Sequence, residues 1–167
     1  MKYIIGCMFI IIIALIVVPN CFSAEVDMDI QAVIMAECSG DYSKIRKDEG
    51  AYGCMQIRQP ALDDYNEYHM TNYKLDDMLK PDLGYTVGCW YINVKIPDML
   101  DYYSIPDTAY HRLIAYNFGI GNLLDWYRRG AVYKHLPQDT KVYIGNYEKF
   151  KKVNQGKYGA GGYEFDE

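Results

Sequence analysis

Glu37 is the residue whose chemistry least suits its place. Ile30, Val33, Ile34 and Glu37 follow the i, i+3, i+4, i+7 spacing of one helical face, with Asp29 placed to cap its start and Gly40 to stop it. A carboxyl on a core-facing stripe is costly to ionise, so its pKa is expected to rise and the group to hold its proton near neutral pH. At a helix end beside a loop, such a group can act as a general acid, delivering a proton to a departing oxygen as glycosidic cleavage requires. A helix rotated slightly from this register would instead leave Glu37 as a cap on the neighbouring loop. Other chemistries find less support. His69, His111 and His135 stand far apart and no Cys-x-x-Cys pair occurs, so a zinc site is not expected.

The elements that must position Glu37 read as helices. After the first helix, Asp41 to Glu49 is a charged loop and Gly50 to Gly53 a turn; Pro60 then opens a helix running to about Tyr68. Pro81 opens another, with Leu83, Val87, Trp90, Tyr91 and Val94 on its apolar face and Pro97 expected to end it. Asp107 is expected to cap a segment through Phe118, interrupted at Gly119 and Gly121 before a short helix from Asn122 to Arg129. A last helix is expected from about Asp139 to Val153.

The chain is 50% hydrophobic and 23% charged, a globular composition of one-domain length. Its net charge of -5 argues against a nucleic-acid binder working by phosphate neutralisation. The aromatics include 18 Tyr against 2 Trp and 5 Phe, amphipathic rings that could line a polar groove or a core. Lys2, the apolar run from Ile4 to Val18 and the small residues Ser23 and Ala24 read as a secretory signal over residues 1–24, with an uncleaved anchor as the alternative. The expected organisation is therefore this signal, a single domain over residues 25–153, and a Gly-rich acidic tail over residues 154–167 expected to be disordered. Export would place the protein in the periplasm or cell envelope and leave Cys38, Cys54 and Cys89 in an oxidising compartment.

Four short segments, in order, add a family. Glu37-Cys38-Ser39-Gly40, Gly50-Ala51-Tyr52-Gly53-Cys54-Met55-Gln56-Ile57, Ala115-Tyr116-Asn117-Phe118-Gly119-Ile120-Gly121 and Thr140-Lys141-Val142-Tyr143-Ile144 resemble the motifs of the soluble lytic transglycosylase (SLT) family. The resemblance implies a mainly α, lysozyme-like (goose-type) single domain with little or no β structure, and a groove for the glycan strands of peptidoglycan. It implies that Glu37 is the single catalytic acid/base and that the Tyr143 hydroxyl points at its carboxyl. Met55 and Gln56 would form the groove wall, and Tyr116 and Asn117 would position saccharide. The residues alone leave Met55 open as core filler and Tyr116 as one more ring on an apolar face.

One carboxyl suffices for a lytic transglycosylase because the sugar's own 6-hydroxyl attacks, closing a 1,6-anhydro ring, where ordinary glycosidases need a second carboxyl. No cofactor is implied. The family's Ser after the Glu is Cys38 here, and Ser39, one place later, is the residue the resemblance would give the substrate-side hydroxyl. Asp41, Asp48 or Glu49 could supply a second carboxyl and make the enzyme a hydrolytic muramidase; loss of efficient catalysis would leave a glycan-binding scaffold. In the resembled fold Cys54 and Cys89 should lie near each other, so a disulfide or close thiol contact is expected there. Small exported members of the family often serve a secretion, conjugation or pilus apparatus, which is the partner the resemblance suggests.

Overall fold

The computed structural model describes residues 28–158. The signal segment and most of the Gly-rich tail lie outside the described residues. Within them the chain is mainly helical with one short hairpin, as expected.

Helix α1 (Ile30–Cys38) begins where the cap was expected: the Asp29 carboxylate accepts the Ala32 N–H at 2.9 Å. Ala32, Val33 and Ile34 are buried on its core side together with Glu37 and Cys38. The chain leaves α1 through Ser39, whose left-handed backbone (φ 56°) brings its N–H to the Met35 carbonyl at 3.1 Å. Strands β1 (Ile45–Arg46) and β2 (Ala51–Tyr52) then form an antiparallel hairpin, pairing Ile45 with Tyr52 and Arg46 with Ala51. With two residues per strand there is too little alternation for a strand to be read from sequence. Gly53 follows at φ +74°, and a Cβ there would meet the Met78 carbonyl oxygen at 2.0 Å, so no other residue fits.

Helix α2 (Gln59–His69) carries Pro60 in its first turn, and a 3₁₀ turn (Leu75–Leu79) leads to α3 (Pro81–Trp90). The expected apolar face is present in part: Val87 is fully buried and Leu83, Trp90 and Tyr91 pack half-buried against the core, but the deepest side also holds Gly84 and Gly88, which let the helix approach Met78 and Met55 closely. The other expectation is corrected, since Pro97 does not end the helix. Tyr91–Lys95 widens into a π turn, with the Ile96 N–H reaching the Tyr91 carbonyl, and α4 (Ile96–Tyr102) continues with Pro97 in its first turn. The wider turn accommodates a ring that would otherwise clash with the carbonyl four residues back.

Helix α5 (Ala109–Phe118) is capped by Thr108, whose hydroxyl accepts the His111 N–H at 3.1 Å, rather than by Asp107. Asp107 instead holds the buried Arg112 in two bonds of 2.7 Å. Gly119, at φ +89°, breaks the chain into α6 (Ile120–Arg128), and a 3₁₀ turn (Tyr133–His135) leads to α7 (Gln138–Tyr158). Helix α7 continues past the expected end at Val153, and Asn154 is therefore in a helix: its side-chain amide donates to the Asp29 carboxylate at 3.1 and 3.2 Å. The fully buried Tyr147 accepts the Asp29 N–H at 3.2 Å. These bonds lock α7 along α1, the chief helix pairing of the fold. Among the described residues no helix is long and apolar enough to cross a membrane.

Candidate active site

Glu37 sits at the last turn of α1, only 6% exposed, and its carboxyl opens into a cleft. Burial pushes its pKa from 4.5 up to about 7, against the opposing pull of Arg46, the Tyr143 hydroxyl and Arg58. The expected raised carboxyl is therefore present. The end of α1 also draws cations: Lys44 Nζ and Arg46 Nη2 each donate to the Glu37 main-chain carbonyl at 2.9 Å, satisfying an oxygen that the helix leaves free.

The hairpin supplies the charged wall of the cleft. Arg46 reaches Glu49 at 3.6 Å, Glu49 also pairs with Arg58, and all three line the cleft beside Glu37. The sequence raised Glu49 only as a second carboxyl and gave no sign of either arginine. For Arg46 the available signal was the helix end itself, whose carbonyls favour nearby cations; Arg58 is brought in by Glu49. Asp41 is turned to its own loop, accepting from the Ser43 N–H at 3.0 Å and the Ser43 hydroxyl at 2.7 Å, and neither it nor Asp48 lines the cleft.

Gln56 lies in the cleft wall in a left-handed conformation (φ 50°). Its Nε2 donates to the Gly53 carbonyl at 2.7 Å and the Lys44 carbonyl at 3.2 Å, while its buried Oε1 has no protein partner. Met55 is placed differently from the groove wall expected of it. Its side chain is fully buried and faces Gly88, away from the cleft lining, because α3 approaches closely there. What it contributes is its main-chain carbonyl, which accepts the Tyr116 hydroxyl at 2.6 Å. That bond ties α5 to the turn after the hairpin and sets Tyr116 in the cleft, next to Asn117 and Phe118.

Tyr143 comes from α7 and is 5% exposed. Its hydroxyl is near enough to Glu37 for each to shift the other: it pulls the carboxyl's pKa down, while burial foremost and then Glu37 hold its own far above the usual value. The contact is loose, since the hydroxyl completes no hydrogen bond of regular length and angle. Ser39 is exposed and does not line the cleft, because its left-handed turn closes the helix instead. The structure thus brings together Glu37, Gln56, Tyr116, Asn117 and Tyr143, and leaves out Ser39 and the Met55 side chain.

Cys38, Cys54 and Cys89 are free thiols, so the Cys54–Cys89 disulfide is not formed. Cys54 is fully buried, and burial, then Cys38 and less strongly Cys89, push its pKa up to about 11. Cys89 instead contacts Tyr85 through its thiol, as the shifts of both groups record. Among the described residues no group of His, Cys, Asp and Glu could hold a metal ion.

No curated protein and no solved structure gives a significant match to the chain. A family model described as the transglycosylase SLT domain matches residues 24–135, more than half of the chain. That span holds Glu37, Gln56, Tyr116 and Asn117 and stops before Tyr143. With the helical fold, the hairpin and a buried carboxyl opening on a cleft, the match identifies the chain as a member of the lysozyme-like SLT transglycosylase family, whose substrate is peptidoglycan.

Proposed function

We propose that the protein is an exported peptidoglycan lytic transglycosylase that cuts between N-acetylmuramic acid and N-acetylglucosamine with Glu37 as its one acid/base. Glu37 gives its proton to the departing glycosidic oxygen. As a carboxylate it then takes the proton from the 6-hydroxyl of the muramic acid, and that oxygen closes on the anomeric carbon to leave a 1,6-anhydro end. The Tyr143 hydroxyl, able to donate or accept, attends the carboxyl in both states. Gln56, with a buried oxygen free to accept, and Tyr116 with Asn117 hold the sugars.

The observation that carries this reading is the place of Glu37, a carboxyl buried at the end of α1 and opening on the cleft: burial there raises its pKa to about 7, where it can both give and take a proton near neutral pH. Among the described residues the cleft has one further carboxylate, Glu49, and it is engaged by Arg46 and Arg58 rather than free to activate water. The net charge of -5 does not suit a free enzyme drawn to an anionic wall. Local wall opening at a secretion, conjugation or pilus apparatus fits that charge better.

Mass spectrometry of sacculi digested by the wild type and by Glu37→Gln tests the reading. Soluble muropeptides with 1,6-anhydromuramic ends from the wild type, and none from the variant, are expected. Reducing ends as the main product would make the enzyme a hydrolase, and sacculus binding with no release by the wild type would make it a scaffold. Turnover of Glu37→Gln within a few-fold of the wild type would remove Glu37 from the role.

A further inference from the structure

We propose that a second groove, beside the Glu37 cleft, binds a more distant sugar of the same glycan strand; the proposal rests on the peptidoglycan reading above. Helix α2 lines both depressions. Pro60 and Ala61 from its first turn border the cleft, and Asp64, Glu67 and Tyr68 from the following turns border the groove. Those positions recur at i, i+1, i+4, i+7 and i+8, a single stripe along the helix. From Ala61 to Tyr68 the stripe advances about 10 Å at about 1.5 Å per residue. The far side of α3 repeats the connection: Tyr91 borders the cleft and Trp90, its neighbour in sequence, borders the groove, with the ring centroids 6.4 Å apart. A polymer lying in the cleft and following α2 enters the groove.

The groove has the chemistry of a sugar site. It is an open depression with about 390 Å³ of space. Tyr68 and Tyr102 are 64% and 80% exposed, and Trp90 is braced edge-on by Tyr65 with centroids 5.3 Å apart. The two tyrosines offer flat apolar faces to the C–H face of a pyranose and keep their hydroxyl edges for water or sugar hydroxyls, while the half-buried Trp90, its indole N–H turned inward, forms the floor beneath them. Around them, Asp64, Glu67 and Asp98 accept from O–H and acetamido N–H donors. The one cation lining the groove among the described residues, Lys95, is already held by Asp64 at 2.9 Å. An acidic rim of this kind admits an uncharged sugar and opposes the carboxylates of a stem peptide. Lys95 closes the π turn after Trp90, the kind of helical irregularity that recurs where helices carry sites.

Titration of ¹⁵N-labelled Glu37→Gln protein tests the proposal. The probes are a hexamer and a dimer of β-1,4-linked N-acetylglucosamine, and a free stem peptide. The hexamer is expected to move the Trp90 indole signal, assigned by its loss in Trp90→Phe, while the dimer and the peptide leave it in place. Tyr68→Ala combined with Tyr102→Ala should weaken hexamer binding at least five-fold and, with Glu37 intact, raise KM for sacculi while kcat changes less than two-fold. A hexamer that moves cleft residues and not Trp90, an indole response to the peptide instead, or unchanged affinity in the double variant would each overturn the groove assignment. Mass spectrometry of sacculi treated with Glu37→Gln separates this from a failure of Glu37 as the acid, which would appear as release of soluble muropeptides by the Gln variant.

Discussion

Arg46 Nη2 donates to the Glu37 main-chain carbonyl at 2.9 Å, so a guanidinium is fixed to the very helix end whose carboxyl it would rather see ionised. Burial prevails, and the carboxyl rises from 4.5 to about 7. Between these values the folded protein binds a proton that the unfolded chain has released, so stability falls as pH rises through the window. Above pH 7 the buried carboxylate costs roughly 3 kcal/mol. Glu37→Gln removes the ionisable group and should therefore be more stable than the wild type at pH 8, by roughly 2 to 3 kcal/mol, and about equal to it at pH 4. Urea unfolding at the two pH values measures the difference; an equal gain at both would mean that the carboxyl is not raised.

Glu49 stands between two cations that both favour ionised Glu37, and its own charge works the other way. In Glu49→Gln the field of Arg46 and Arg58 is no longer offset. Protonated Glu37 should then be lost at lower pH, moving the basic limb of the kcat/KM profile to the acid side while the anhydro product persists. A variant inactive at every pH, from an enzyme that makes reducing ends, would instead assign Glu49 to the activation of water.

Tyr143→Phe should move the same limb the opposite way. The hydroxyl lowers the Glu37 pKa, so its loss leaves the carboxyl protonated to higher pH. Turnover should nonetheless fall about ten-fold or more, because the hydroxyl beside the carboxyl would close to a full hydrogen bond as that group becomes charged, with glycan binding little changed. The opposed shifts of Glu49→Gln and Tyr143→Phe distinguish an electrostatic role from general damage to the fold. Full activity in Tyr143→Phe would detach α7 from the chemistry.

How much was legible in the sequence depended on how local each signal is. Glu37 was legible because a single stripe of α1 decides its burial, and Asp29 marks that helix's start within the same turn. The Arg46–Glu49–Arg58 cluster was not, because a charged loop reads as solvated until a hairpin too short to show alternation folds it against the helix end. Pro97 misled for a related reason: its ring forbids an ordinary helical turn, and the chain answers with a wider turn that no residue type announces. Met55 and Ser39 were assigned by motif position, but side-chain direction is set by partners distant in sequence, such as Gly88 for Met55.

That last relationship gives a test of how the site is held. A methyl group added at Gly88 would lie 2.6 Å from Met55 Cβ, Cγ and Cε. The two outer atoms belong to a flexible chain and can swing aside, but Cβ is fixed to the backbone whose carbonyl holds the Tyr116 hydroxyl. Relief must therefore come from α3 moving outward or from the turn carrying Met55 and Gln56 being displaced. Overpacking of this kind costs typically about 1–3 kcal/mol. Gly88→Ala should lose that much in urea unfolding and should also lower kcat by disturbing Tyr116 and Gln56. Gly121→Ala is the matched control. It lies in α6 with no atom within 4 Å of an added Cβ and no left-handed backbone, so replacing glycine there should gain roughly 0.5–1 kcal/mol. Equal effects at the two positions would show that α3 does not press on Met55, and that Tyr116 is set in the cleft by something other than this contact.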